Sequence, residues 1–327
     1  MDSRAEILKV FDILKKYSDC DHHLNAAQIA EYIANENINV DRRAIYKDIS
    51  ALIACGYDVN KSSNLRSGYY YGEREFQLPE IRLLIDAIEG APFITRKKTE
   101  QLKSKLLSFL SIYQAENLND NIYRGERHKF TNEEIYYNID TINEAIKANK
   151  KVTFTYYHKL VKNGKLSVND GRKFTVSPYG LFWLEDRYYL AANYDKYDNI
   201  ANYRIDRMKK VVITEQDRRE VAEVYNGSVF DISEYVGKSV QAFSGEASKI
   251  KLKIDSDMLD IVTDKFGDEI ELVKKGKTSL DVMINVNISE GLVNWLLPYS
   301  KKISVIYPDS LKSLINEKIK DLYNHIK

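Results

Sequence analysis

The chain has 327 residues, 44% hydrophobic and 30% charged, with a formal net charge of +1, a length that allows two or three domains with separate cores. No apolar run approaches the roughly 18–20 residues of a membrane-crossing helix, and the polar, helix-like opening Met1-Asp2-Ser3-Arg4-Ala5-Glu6 is not laid out as a signal peptide. Cys20 and Cys55 are too few for a disulfide framework and show no metal-ligand spacing, so a cytoplasmic location and no metal are expected.

The near-zero charge excludes a uniformly basic nucleic-acid binder, but an average hides local fields. Residues 141–215 hold 14 Lys and Arg against 8 Asp and Glu, a surplus of six. Residues 42–71 hold Arg42, Arg43, Lys47, Lys61 and Arg66 against Asp48 and Asp58. Taken alone, either patch also fits a well-solvated surface. The 24 tyrosines against 11 phenylalanines suit wet interfaces and base-stacking sites, because the ring is apolar and the hydroxyl can donate. A codon bias toward A and T yields the same excess.

Residues 4–17 place Ile7, Leu8, Phe11, Ile13 and Leu14 at helical spacing. Asn25 is the expected N-cap of a helix over 26–35, and Ile29, Ala30 and Ile33 form its apolar face. Asp41 caps a third helix, with Ile45, Ile49, Leu52 and Ile53 expected inward and Gly56 as its stop. A strand at 57–59, a polar turn at 61–67 and a return strand at 68–71 make a hairpin. Three short helices followed at once by a hairpin predict a winged helix-turn-helix.

The segment Asp41-Arg42-Arg43-Ala44-Ile45-Tyr46-Lys47-Asp48-Ile49 resembles the recognition helix of DeoR-like winged-helix regulators, which commonly reads Ser/Thr-x-Arg-Thr-Ile-x-Arg-Asp-Ile. Arg43 matches the first arginine of that pattern, Ala44 replaces the threonine and Lys47 the second arginine. The resemblance implies duplex DNA as a partner. Independently, Arg42, Arg43, Tyr46 and Lys47 project from the first turns of the third helix, the part that enters the major groove in this motif. Arginine can read guanine with two hydrogen bonds, while lysine and tyrosine more often grip phosphates. Lys61 and Arg66 on the wing would add backbone or minor-groove contacts.

Residues 76–110 read as two helices, one starting at Leu78-Pro79-Glu80 and one capped by Thr95, with stripes at Ile81, Leu84, Ile85, Ile88 and at Leu102, Leu106, Leu107, Leu110. Such stripes are usually core, and here they also suggest a dimer. Residues 117–127 read as a polar linker. A helix over 135–149 then gives way to period-two alternation at 151–157 and 173–179, around a polar hairpin loop at 159–171. Further strands are expected at 182–183, 187–193 and 202–205. A helix followed by short antiparallel strands suggests a small β-barrel of the Sm or SH3 type.

Three segments in order, Val176-Ser177-Pro178-Tyr179-Gly180-Leu181, Arg187-Tyr188-Tyr189-Leu190-Ala191-Ala192 and Asn202-Tyr203-Arg204-Ile205-Asp206-Arg207-Met208, resemble the WYL domain of bacterial regulators. Tyr188 stands where that family usually has tryptophan. The resemblance implies a site for a nucleic acid strand or a nucleotide-like anionic effector. From their chemistry, Arg172, Arg187, Arg204 and Arg207 offer guanidinium forks for phosphate. Tyr156, Tyr189 and Tyr194 offer rings for stacking, and Ser177 a hydroxyl. Tyr156 and Tyr189 also fit half-buried core positions. Alternation forbids all of these from facing one site, and Asp206 is better suited to orient an arginine than to meet an anion.

From 249 onward the order strand, helix, strand, strand, helix, strand, helix is ferredoxin-like and resembles the extension that follows WYL domains. The expected organisation is therefore α+β and multidomain. It comprises a winged helix-turn-helix at 1–74, a helical connector and linker at 75–130, a WYL-like ligand-sensing domain at 131–218, and a C-terminal extension at 219–327. The five histidines His22, His23, His128, His158 and His325 fit no catalytic spacing, and His22-His23 beside Cys20 reads as a surface loop. No phosphate-binding glycine loop or nucleophile elbow occurs. No cofactor and no enzymatic activity are expected. The leading reading is a ligand-responsive bacterial transcriptional regulator acting as a homodimer. The alternatives are an RNA or single-strand binding accessory protein and an enzyme of unrecognised type.

Overall fold

Local caps set the first helices. Asn25 Oδ1 accepts from the Ala27 and Gln28 N–H groups at 2.9 and 3.0 Å, and Gln28 Oε1 accepts from the Asn25 N–H at 2.9 Å. This capping box starts α2 (Ala26–Ala34). Asp41 accepts from the Arg43 N–H at 3.2 Å and starts α3 (Arg42–Ala54). Gly56, at φ +89°, follows the end of α3 in a conformation that glycine adopts freely. With α1 (Ser3–Tyr17) they enclose a core of Val10, Ile13, Leu14, Ile29, Ile33, Ile45, Ile49 and Leu52.

The computed structural model describes residues 3–35, 37–38, 40–62, 68–120, 129–162, 164–225, 230–243, 245–268 and 270–326. The architecture is mixed α+β, and the chain forms two compact units, Met1–Thr131 and Asn132–Lys327. Among the described residues no helix is long and apolar enough to cross a membrane.

Three residues of the expected apolar stripes are exposed, Leu84 at 39% among them. Leu8 is 64% exposed and Ile53 47%. The buried stripe of α1 runs through Val10, Ile13 and Leu14, and Leu8 stands about 200° around the helix from Val10. Ile53 sits at the edge of the α3 stripe.

Behind α3, β1 (Val59–Lys61) and β2 (Tyr69–Tyr71) pair antiparallel, with Val59 opposite Tyr71 and Lys61 opposite Tyr69. Leu24 adds a bridge to this hairpin through two 2.8 Å bonds with Tyr69. Residues 63–67, Arg66 among them, lie outside the described residues.

Helices α4 (Leu78–Gly90) and α5 (Arg96–Leu107) follow, with Pro79 in the first turn of α4 and Thr95 accepting from the Lys98 N–H at 3.3 Å. The expected linker from residue 117 does not begin there, because Asn117 lies inside α6 (Ile112–Asp120). Ser111 and Gln114 cap this helix reciprocally. Leu118 is buried with Ile81, Ile85 and Leu110. One apolar side chain inside a polar sequence, placed on a helix that faces a core, is enough to recruit that turn. Residues 121–128 lie outside the described residues.

The second unit opens with α7 (Ile135–Ala148), stopped by Asn149 at φ +54°. It packs on a sheet of order β8-β7-β6-β3-β9. The strands are β3 (Lys150–Tyr156), β6 (Arg172–Leu184), β7 (Arg187–Asn193), β8 (Ile200–Arg204) and β9 (Met208–Asp217), all neighbours antiparallel. The strands expected at 173–179 and 182–183 are one long strand, and β9 was not anticipated. The expected loop at 159–171 carries its own hairpin, β4 (Lys159–Lys162) and β5 (Lys165–Val168). The chain stays on this sheet past residue 218. Val221, Val224 and Tyr235 of α8 (Ile232–Gly237) pack against Tyr179, Phe182, Ala191 and Ile200.

The remaining strands are β10 (Glu246–Asp255), β11 (Glu271–Lys275), β12 (Ser279–Ile288) and β13 (Ile303–Tyr307), in the order β11-β12-β10-β13. Helices α9 (Leu259–Phe266), α10 (Glu290–Leu296) and α11 (Asp309–Ile326) accompany them. Ile250, Leu252, Ile254, Val282, Leu292, Leu296 and Leu311 belong to the core between them.

Candidate nucleic-acid interface

Because Ile45, Ile49 and Leu52 are committed to the core, helical geometry turns Arg42, Arg43, Tyr46 and Lys47 outward. All four are exposed, on the first two turns of α3. The Tyr46 ring meets Tyr69 edge-to-face at 6.3 Å, tying the helix to the hairpin. Lys61, on β1 opposite Tyr69, is exposed as well. The sequence-predicted cations of this unit are thus brought to the surface of α3 and β1, apart from Arg66, which is not described.

Asp48, next along α3, is of a different kind. Burial, and then the charge of Glu6 on α1, pushes its carboxyl above the usual carboxylate range, against the opposing pull of Lys47. One buried oxygen of Asp48 and one of Glu6 receive no hydrogen bond.

In the second unit the sequence-predicted residues divide between two faces of one sheet. Tyr156 pairs in register with Arg172, and the two flank a ring cluster of Phe154, Phe174 and Tyr203. Tyr156 is 7% exposed, and its hydroxyl accepts from the Arg204 N–H at 3.1 Å. Burial raises its pKa, and burial likewise pushes Tyr203 up to about 12. Arg172 is exposed, its guanidinium 5.0 Å from the Phe174 ring centre.

Ser177 pairs with Asn193, so counting by twos along β7 puts Tyr189 and Arg187 on the Ser177 face, away from Arg172. Ser177 is fully buried, and its hydroxyl accepts from the Arg219 N–H at 2.9 Å. Nearby Tyr179 donates to the Arg219 carbonyl at 2.9 Å and is pushed up to about 12 by burial. Tyr189 stacks on Phe182 with ring centres 5.3 Å apart. Arg204, opposite Tyr189, forks onto Asp206 through bonds of 3.0 and 2.7 Å. Arg187 and Arg207 are half-buried. Arg187, Tyr189 and Arg204 therefore share one face, while Tyr156 and Arg172 share the other.

Tyr194, in the turn after β7, joins the Tyr156 ring cluster, its ring 5.6 Å from that of Phe174 between centres. It lines a cleft of about 630 Å³ with Thr153, Lys173, Thr175, Asp195, Lys196, Thr214 and Gln216. Only Tyr194 of these was anticipated. The polar alternation of Thr153 and Thr155 along β3 was a readable sign of an uncovered face. Thr214 and Gln216 could not be placed without β9.

Residues 137–213 match the WYL domain. Among solved structures the chain is similar to proteasome accessory factor B/C (PafBC) of Arthrobacter aurescens, at 15% identity and a TM-score of 0.29. That likeness covers 98% of this chain and 48% of the other, so the chain spans about half the length of that relative. No curated protein matches.

Proposed function

We propose that the chain is a ligand-responsive transcriptional regulator that binds duplex DNA through α3 and senses an anionic, nucleic-acid-like effector through its WYL-like region. The observation that carries this reading is the exposed array of Arg42, Arg43, Tyr46 and Lys47 on a helix whose other face is fully committed to the core. The hairpin behind α3, joined by Leu24, supports assigning the first unit a winged helix-turn-helix. The order β8-β7-β6-β3-β9 with α7 across it supports an Sm- or SH3-like barrel, and β11-β12-β10-β13 supports a ferredoxin-like end domain.

For sensing, the match of residues 137–213 to the WYL domain is the support. The cations and rings on offer are Arg172, Arg187, Arg207 and Tyr194, with Arg204 braced by Asp206. The protein acts as a homodimer on a palindromic site, and an effector that prefers one arrangement of the dimer changes DNA affinity by the coupling free energy. Catalysis forms no part of this reading.

The test is binding of the purified chain to duplex DNA from upstream of its own gene, over a salt series, beside Arg43→Ala. Sequence-preferring binding that Arg43→Ala removes supports the regulator. Weak binding that is the same in both proteins overturns α3 as a reader and favours a single-strand or RNA-binding accessory protein.

A further inference from the structure

We propose that the turn Val240-Gln241-Ala242-Phe243 is a strained clasp between the five-stranded sheet and the domain built on β10–β13, and that Asn202 is its latch. The structure shows the closed state, and release of Asn202 opens it. The strain is in the backbone. Gln241 and Ala242 stand at φ +55° and +56°, in the left-handed region that residues with a Cβ disfavour. The Phe243 N–H donates to the Val240 carbonyl at 3.2 Å. Positive φ at both central residues is the pattern of a type I′ turn, which Asn-Gly forms readily and Gln-Ala does not. Such strain persists only where surrounding contacts impose it, and it gathers at switch regions.

The contacts that impose it come from both bodies. On one side, Val240 belongs to the buried core with Ile250, Leu252 and Leu292. A Cβ at Gly291 would lie 2.2 Å from the Val240 carbonyl oxygen, so α10 starts directly against the turn. The Asn287 N–H donates to the Lys238 carbonyl at 2.8 Å, and its side-chain amide donates to the Ser239 hydroxyl at 3.3 Å. On the other side, Ala242 packs against the sheet core of Tyr179, Phe182, Ala191 and Ile200. The chain itself crosses between the bodies just ahead of the turn, from Tyr235 in the sheet core to Lys238.

Asn202 closes the device. Its Nδ2 donates to the Ala242 carbonyl at 2.8 Å, and its Oδ1 accepts from the Tyr235 hydroxyl at 3.0 Å. One side chain thus ties the turn to the crossing segment, and both to β8 at the end of the sheet order. Once the Nδ2 bond is gone, Gln241 and Ala242 return to negative φ and Ala242 leaves the sheet core. The domain then swings about Val236-Gly237, where a Cβ added at Gly237 would meet nothing. Arg204 lies two residues along β8 on the same face, so the latch stands on a strand that carries a cation of the proposed sensing site. The clasp does not depend on that reading, because its test uses no ligand.

The experiment measures distances between two nitroxides on the full chain by pulsed electron paramagnetic resonance. One label is placed by Lys173→Cys in β6 and one by Lys253→Cys in β10, both exposed positions. Cys20→Ser and Cys55→Ser remove the native thiols, and dilution with unlabelled chain removes distances between copies. With Asn202 intact a single distance is expected. Asn202→Ala is expected to add a second one. Adding Gln241→Asn and Ala242→Gly, which suit the turn to positive φ, is expected to restore the single distance. That restoration separates a strained clasp from a contact that only adds stability, since neither substitution replaces the lost bond. An unchanged single distance in Asn202→Ala overturns the proposal, as does a second distance that the turn substitutions leave in place. Thermal melts check that each variant is folded. Should Asn202→Ala fail to fold, the two turn substitutions in the otherwise unaltered chain decide. Relief of strain raises the melting midpoint by a few degrees, and an unchanged or lowered midpoint overturns the clasp.

Discussion

The Ser111 hydroxyl donates to the Asp19 carboxylate, joining residues 92 positions apart. Asp19 sits in the turn after α1, and Ser111 is the cap of α6. The Asp19 carboxylate also faces His22 Nδ1 at 2.8 Å and accepts from the backbone N–H groups of Asp21 and His22. Beside it the Arg74 guanidinium donates to the carbonyls of Lys15, Ser18 and Phe109 at 2.9, 2.7 and 3.2 Å. These bonds fasten the three-helix head to the helices that follow it. Burial pushes the Asp19 carboxyl up, but the bonds from Ser111, His22 and Asp21 outweigh it and hold the pKa below its ordinary 3.8.

Replacing Ser111 by alanine leaves a buried carboxylate short of one donor, a loss of about 1–3 kcal/mol. Thermal melts at neutral pH should show a midpoint lowered by several degrees. A group with a depressed native pKa stabilises fully above its unfolded value and loses that contribution as pH falls through the native one. The difference between Ser111→Ala and wild type should therefore shrink below about pH 3.8. A difference that is constant down to pH 2 sinks the assignment.

Asp48 has the opposite sign. Its carboxyl is raised, first by burial and then by Glu6, so its contribution is most favourable below the unfolded pKa and is lost as pH rises through the native value. Asp48→Asn should stabilise the first unit at neutral pH by about 0.5 kcal/mol, a partly solvent-screened effect. That gain should vanish in acid. A destabilised variant at pH 7 would mean that the charged form is the one this position favours.

On the proposed DNA face, two cations should behave differently. Lys61→Ala should weaken binding evenly across sequences and reduce the salt slope by about 0.9, the value for one phosphate contact. Arg43→Ala should cost about 1–3 kcal/mol on the preferred site and flatten the preference among operator variants. Anisotropy titrations over salt separate the two, and equal effects from both would place Arg43 on the backbone.

Gly68 offers a test of how the hairpin is anchored. It has φ +97°, and a Cβ there would lie 2.2 Å from the Leu24 carbonyl oxygen. Gly68→Ala should cost more than about 2 kcal/mol, combining an unfavourable backbone with a clash that nothing flexible can relieve. Because Leu24 also bonds to Tyr69, loss of that bridge should loosen the hairpin and weaken duplex binding. A variant with wild-type melting would show the bridge to be dispensable.

Much of the scaffold was legible in the sequence because the forces that start and stop elements are local. Asn25, Asp41 and Thr95 could each be read as a start, since a cap bonds to N–H groups two or three residues ahead. The alternation of Val152, Phe154 and Tyr156 against Thr153 and Thr155 marked β3 for the same reason. Period two shows that a strand has two faces, but not which face another element will cover. That choice depended on tertiary packing. It took Phe174 and Tyr203, on two other strands, to bury Tyr156, and α8, more than fifty residues on, to help bury Tyr179. It took Arg219, 42 residues from Ser177, to claim that hydroxyl. By itself the sequence determined the caps, the outward cations of α3 and the strand periods, all written within a turn or two of chain. Only the tertiary structure decided that Thr153, Thr175 and Thr214 meet in one cleft beside Tyr194, because neighbours across a sheet are chosen by strand order, which no local spacing encodes.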